Sequence, residues 1–410
     1  MEFSNSSSET PSKGGKKRFF EFDLIRGVLL LMMIVDHSPS LLRRFTDQPL
    51  GFFTTAECFV FVSAFLAGML FRKRAQERGF SAARFSTMRR AGRIYLGHLV
   101  TVGFAFVLGS LFLSEFPGIG NLLDHYLQNQ WAAIAGSLVL VFRPPLMDIL
   151  PMYIMFSFLT PAAFWIAQRW GWRTALFASA SIWFIAQTHA RDVLITAFQD
   201  YSFIQLGPFD LFAWQLLWVS GLFIGQRFHE DKATLRLPRL LDPLLFFAAM
   251  VFLAWRWSSI AFGSHPVTQT WLFDKWHLGP LRLMNFFVVA FVVARLIKYL
   301  NRWETLSRPL SLIGRHMLPI FCSEICLTLL LNGRADSGLS NEPITSVLVV
   351  CQLLTAPLLA WFLEYGWRPR LFRTPKTRPA RQQILNEEKQ RRKMPSFPRR
   401  VRDTLYTLYR

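Results

Sequence analysis

The chain has 410 residues, 52% of them hydrophobic and 15% aromatic, yet its formal charge is +20. This combination excludes an ordinary water-soluble globule. The charges also stand apart from the apolar runs, which excludes a nucleic-acid binder, where Lys and Arg would be interleaved with globular sequence. About ten apolar runs of roughly 17–23 residues, each long enough to cross a hydrocarbon core, predict an all-α, polytopic integral membrane helical bundle with both termini cytoplasmic.

Residues 1–18, rich in Ser, Gly and Lys, read as a disordered basic leader without a removable signal peptide, and a transmembrane domain is expected over 19–366. The first span, 20–41, is punctuated by Asp23, Arg26, Asp36 and His37. Ionisable residues are costly inside a bilayer and are functional candidates by default. At about 100° per residue, Arg26 and His37 fall on one face with Asp23 and Met33 close to that line, and they stand roughly 16 Å apart along the axis. An Arg and a His that snorkel to opposite interfaces would give the same pattern. A second span, 52–71, carries Glu57 near the depth of His37. The connection from Arg72 to Arg93 is strongly basic, which places it in the cytoplasm.

The third span is expected at 94–113, and the long connection after it, with Trp131 and Pro144-Pro145, suggests an interfacial or re-entrant helix. The fourth, 148–166, opens on Asp148 and carries Tyr153; the fifth follows at 174–188. Residues 189–208 mix His189, Arg191, Asp192, Asp200, Tyr201 and Gln205, which suits a glycan-facing surface and equally plain solvent exposure. The sixth span, 209–228, holds Trp214 and Trp218, and the seventh is 241–257. Trp255, Trp257, Trp271 and Trp276 bracket an outer loop, as an interfacial belt or as sugar-stacking faces. Lys275 and Arg282 flank the start of the eighth span, 281–299; the ninth, 310–331, has Arg315-His316 and Glu324; the tenth is 344–363. The basic tail, 367–410, is expected against anionic lipid in the cytoplasm.

Cys58, Cys322, Cys326 and Cys351 all lie in apolar segments, so no disulfide framework or metal site is expected, and no phosphate loop or Gly-x-Ser-x-Gly elbow occurs. A guanidinium near one membrane face and an imidazole near the other suit one task. Arg26 would hold the phosphates of a cytosolic acyl-CoA, with Arg90 and Arg93 as a second clamp, although a positive-inside boundary would also place those two there. His37 would be the general base on an acceptor hydroxyl. Asp36 or Glu57 would fix its tautomer; Asp36 points about 100° away along the helix, which favours Glu57. His98, His125, His189, His229, His265 and His277 read as interfacial or loop residues, and His316 as a weaker candidate for donor contacts.

At these residues the sequence resembles the OpgC family of integral-membrane acyltransferases, related to acyltransferase-3-type enzymes. The resemblance begins with Asp23-Leu24-Ile25-Arg26-Gly27 and Asp36-His37, whose Arg-to-His spacing matches, and continues with Arg90-Ala91-Gly92-Arg93. It extends through 56–63, 148–154, Lys275 to Asn285 and 312–316. It implies transfer of an acyl group, succinyl first and acetyl second, from succinyl-CoA or acetyl-CoA to a periplasmic glucan at the bacterial inner membrane. It also implies His37 as the catalytic residue and Arg26, Arg90 and Arg93 at the donor; Arg315 is expected as a further donor contact, and Asp23, Asp148, Tyr153, Lys275 and Arg282 at the substrate. No permanently bound cofactor is expected; the expected partners are acyl-CoA, the glucan, membrane lipid and glucan-synthesis machinery. Ser63-Ala64 stands where the family often has Ser-Gly, and Arg315-His316 where a small hydroxyl residue is common, which bears on the acyl group more than on the reaction. The Asp-x-x-Arg-Gly opening is also similar to that of acetyltransferases acting on glucosaminides. A glycan or organic-anion exporter using the same polar stripe, and a non-catalytic subunit of a glucan synthase, are the rival readings.

Overall fold

The computed structural model describes residues 20–38, 40–112, 118–196, 205–230, 239–262, 270–300, 304–335 and 342–366. The expected leader and basic tail, together with Asp200, Tyr201 and His265, lie outside the described residues. Among the described residues the chain is helical apart from turns and one isolated bridge between Phe142 and Gln205.

The first helices are α1 (Phe20–Asp36), the single turn α2 (Arg43–Thr46), α3 (Thr55–Arg78) and α4 (Phe80–Leu111). The long connection expected after the third span contains three short helices, α5 (Gly118–Leu122), α6 (Asp124–Gln128) and α7 (Gln130–Leu138). Then come α8 (Ile149–Trp170), α9 (Trp172–Ala186), α10 (Ala190–Thr196), α11 (Leu211–Glu230), α12 (Asp242–Phe262) and α13 (Pro280–Leu300). The series closes with α14 (Glu304–Arg315), α15 (Met317–Ala335) and α16 (Glu342–Trp361). The chain divides into two compact units after Trp361, and Phe362–Gly366 in the second forms one π-helical turn.

Among the described residues, five helices, α3, α4, α8, α12 and α16, are long and apolar enough to cross a membrane. A sixth crossing results if α14 and α15 count as one bent span. Other helices where a span was expected fall short for visible reasons. α1 and α9 have 17 and 15 residues. α11 carries Gln215, Gln226 and Arg227.

Two expected elements take a different form. The basic connection Arg72–Arg93 is helical almost throughout, because α3 and α4 are separated only by Gly79, at φ 84°. α4, with 32 residues, is about 48 Å long at 1.5 Å per residue, well beyond a hydrocarbon core of ~30 Å, so its basic N-terminal half extends out of the apolar layer. The expected ninth span is two helices that meet at 90° beside His316. Helix α14 then lies along α1 at very close range: a Cβ on Gly314 would land on the Asp23 carbonyl oxygen, and one on Gly27 on that of Leu310. Only paired glycines allow this approach, the device by which small residues bring membrane helices together.

The interior is aromatic. Trp214 and Trp218 on α11 are fully buried, with indole N–H groups donating to the Trp276 carbonyl and Thr160 Oγ1, both at 3.0 Å. α12 turns Leu244, Phe246, Phe247, Met250 and Val251 outward, an apolar face suited to lipid.

Candidate active site

α1 ends at Asp36, and His37 is the first residue of the turn beyond it. The His37 ring folds back so that Nδ1 lies 2.7 Å from the Met33 carbonyl oxygen. A carbonyl only accepts, so Nδ1 carries the proton and Nε2 keeps its lone pair. The residue is further held by Asn332 of α15, whose Nδ2 donates to the His37 carbonyl at 3.0 Å.

The ring borders a cavity of about 310 Å³ at the His37 end of the polar stripe on α1. Asp36 and His37 enter it from α1, Arg43 and Asp47 from the segment after it, and Thr54 and Thr55 from the start of α3. Asp148 comes from the residue before α8, Lys275 and Trp276 from the loop before α13, and Glu324 from α15. Four of the residues singled out in the sequence, His37, Asp36, Asp148 and Lys275, thus line one space although up to 239 positions separate them.

Its electrostatics are mixed. Burial pushes the Asp148 carboxyl up to about 6, against the pull of its own and the Ile149 N–H groups and of Lys275 and Arg143. Burial likewise lowers the Lys275 ammonium from its ordinary value, opposed by Glu57, Asp47 and Asp148. The Lys275 Nζ sits over the Trp276 ring, 4.9 Å from its centroid. Asp36 Oδ2 accepts from Thr55 Oγ1 at 3.2 Å, whereas Oδ1 is buried with no hydrogen-bond partner among the described residues. Glu324 is in the same state: Oε1 accepts from Thr355 Oγ1 at 2.8 Å and Oε2 is buried without one.

Glu57 does not border this cavity. It is the third residue of α3, and its Oε2 accepts from the backbone N–H and the hydroxyl of Thr54 at 2.9 and 2.7 Å. Its Oε1 accepts from Arg282 Nε, and both side chains are almost wholly buried. Thr54-x-x-Glu57 is a capping box, so the structure gives Glu57 a helix-starting and ion-pairing place.

The Arg26 end of the stripe gathers a second group. Arg26 donates from Nε to Met317 Sδ at 3.1 Å and pairs with Asp23 at 3.7 Å. Arg90 on α4 lies in electrostatic range of Arg26, Arg93, Arg74 and Tyr153. The Tyr153 hydroxyl is buried without a hydrogen-bond partner among the described residues, in surroundings that include Ser63, Arg26 and Arg90. Arg93 is exposed one turn from Arg90, and Arg315 is exposed at the end of α14. Between Arg26 and Asp36 the helix is unbroken, so the two groups keep the separation of roughly 16 Å that helical rise dictates.

Sequence reasoning noted Glu324 without giving it a role at the site, and gave none to Arg43, Asp47 or the two threonines. Glu324 had a signal, since it is the sole ionisable residue in the apolar run 317–331. The others sit in a short connection whose composition gives no hint that it folds over α1.

Among known proteins, the family model described as OpgC protein matches residues 18–367. Searches of curated proteins and of solved structures found no match. A match over most of its length means that the chain belongs to the OpgC family, which makes it, at the level of the family, a glucan-modifying acyltransferase.

Proposed function

We propose that the protein is a multi-pass O-acyltransferase of the bacterial inner membrane that moves a short acyl group from cytosolic acyl-CoA to a hydroxyl of a periplasmic glucan. Succinyl is favoured and acetyl is the second choice. The observation that carries this reading is the His37 ring, whose Nδ1 is bound by its own helix and whose Nε2 is left with a lone pair at a cavity. A backbone carbonyl does here what a carboxylate does in hydrolase triads.

In the reaction the acceptor O–H gives its proton to His37 Nε2 as its oxygen attacks the thioester carbonyl carbon. The tetrahedral intermediate then collapses, the carbon–sulfur bond breaks, and the departing thiolate takes the proton from the imidazolium, leaving an ester and free CoA. Lys275, one of two cations at the cavity with Arg43, would balance the developing oxyanion. Arg26, Arg90 and Arg93, with Asp23 and Tyr153 about them, would bind the donor phosphates. Arg315 is assigned a peripheral donor contact. Asp36 and Glu324 each offer a carboxylate oxygen without a hydrogen-bond donor, which a polyhydroxylated acceptor would supply, and Asp148 lines the same cavity. Arg282 supports this wall indirectly, through Glu57.

The test is mass spectrometry of periplasmic glucans from cells carrying the intact gene, a deletion, or His37→Ala. Loss of the acyl mass increment in the last two supports the reading. Unchanged acylation in His37→Ala cells that express the protein refutes the mechanism, and acylated glucans that fail to reach the periplasm would mark an exporter.

A further inference from the structure

Outside the cavity, the corner between α9 and α10 meets the loop that leads into α13. His189 and Asp192 come from the corner and His277 from the loop, and one ligand atom from each lies within 4.8 Å of the others. Asp192 Oδ2 is 3.2 Å from His189 Nδ1 and 3.1 Å from His277 Nε2. On its other side the His277 ring meets Asp274, with Nδ1 2.5 Å from Oδ2.

These contacts cannot be satisfied by a neutral His277. A carboxylate only accepts, so the bond to Asp274 requires a proton on Nδ1, and a neutral ring then turns a lone pair toward a second carboxylate oxygen. A positive centre must stand between them. The His189 ring lies edge-on with its centroid 4.2 Å away, and its Nδ1 approaches the same Asp192 oxygen, so two ring nitrogens and one carboxylate oxygen converge on one point. A metal ion bound by His277 Nε2, His189 Nδ1 and Asp192 Oδ2 resolves all three contacts at once.

We propose that His189, Asp192 and His277 bind a divalent transition-metal ion, with zinc the best match to two imidazoles and one carboxylate. Asp274 is the outer partner that orients a ligating histidine, and it is itself fixed by accepting the Trp276 N–H at 2.9 Å. His189 adopts φ 56°, a conformation rare for a residue with a side chain, and the turn it makes aims Nδ1 at Asp192. The same two segments are already joined by Gln187 Nε2 donating to the His277 carbonyl at 2.7 Å and Trp183 Nε1 to that of Leu278 at 3.0 Å. His189 and Asp192 are about half exposed, which leaves them free to close on an ion. The ion would tie down the loop in which Lys275 and Trp276 form a wall of the cavity, and it takes no part in the chemistry.

The assignment stands apart from acyl transfer and is tested without it. The full-length protein in detergent is equilibrated with buffered zinc, desalted, and analysed for bound metal and for thermal unfolding. His189→Ala and Asp192→Asn alter exposed side chains, and His125→Ala is the control. The expected result is close to one zinc per chain in the wild type and the control, at least about tenfold weaker binding in both variants, and a zinc-dependent rise in melting temperature that both variants lose. A wild type that binds no zinc, or either variant retaining wild-type binding and thermal response, overturns the proposal.

Discussion

Asp148 gives the cavity a measurable pH signature. Its carboxyl is nearly buried and lifted from 3.8 to about 6, a shift worth about 3 kcal/mol between the protonated and ionised forms. Below about pH 4 the folded and unfolded chains both carry this proton, and the group costs nothing. As pH rises toward 6 the unfolded chain releases the proton first, so stability falls, and above the folded value the loss levels off. Of the total, about 1.4 kcal/mol falls between pH 5 and 7.5. Asp148→Asn keeps the shape and removes the titration. Its stability relative to wild type should therefore rise by about that amount over the same interval. Unfolding in mixed detergent micelles, followed by tryptophan fluorescence at each pH, measures it. Parallel stability profiles for the two proteins would refute the burial argument, and a gap that narrows with rising pH would reverse its sign.

The other predictions probe the two ends of α1. Arg282→Met leaves the Glu57 carboxylate buried without its partner and should cost about 3–5 kcal/mol in the same unfolding assay, most of which the double variant Glu57→Leu/Arg282→Met recovers. Gly314→Ala drives a methyl into the Asp23 carbonyl and should cost about 1–3 kcal/mol, since α1 and α14 must separate. Arg26→Lys and Arg90→Lys keep the charge but lose the guanidinium fork; in a free-CoA release assay they should raise KM for the acyl-CoA and spare KM for the glucan. Glu324→Gln should do the reverse, and a shared effect on both substrates would argue against separate subsites.

Much of this architecture was legible in the sequence, and what escaped it did so for identifiable reasons. The periodicity of apolar runs located the long helices, and helical rise alone placed Arg26 and His37 at opposite ends of one face. Periodicity is blind to a bend between two helices that each fit the pattern, which is why the break at His316 was invisible until α14 was seen folded along α1. The basic stretch Arg72–Arg93 looked like a connection because charge was taken as a boundary, while a helix needs only one non-helical residue, Gly79, to change direction. Glu57 was read for its charge and depth; the threonine three residues earlier held the information that it starts a helix. The pairing of His277 with Asp192 was beyond reach of any spacing rule, because Asp192 is 85 positions away and meets it only through the fold.

The contrast between Glu57 and the cavity carboxylates also separates structure from function among buried charges. Glu57 is saturated: two contacts from Thr54 and one from Arg282 occupy both oxygens. Asp36 and Glu324 are half saturated, each with one oxygen held by a threonine and the other buried without a donor beside the cavity. An unpaired buried acceptor is costly, on the order of 1–3 kcal/mol for each. A bundle built only for stability would have paired these oxygens, as it paired Glu57. The cost is offset where a ligand supplies the missing donors, and sugar hydroxyls are donors that can approach from the open side of the cavity without bringing a charge. At the other end of α1 the group without a partner is the Tyr153 hydroxyl, which could donate to a phosphate oxygen, while Arg26 already donates to Met317 and pairs with Asp23. The unmet acceptors Asp36 Oδ1 and Glu324 Oε2 are therefore what the proposed placement of the sugar hydroxyls in this cavity rests on.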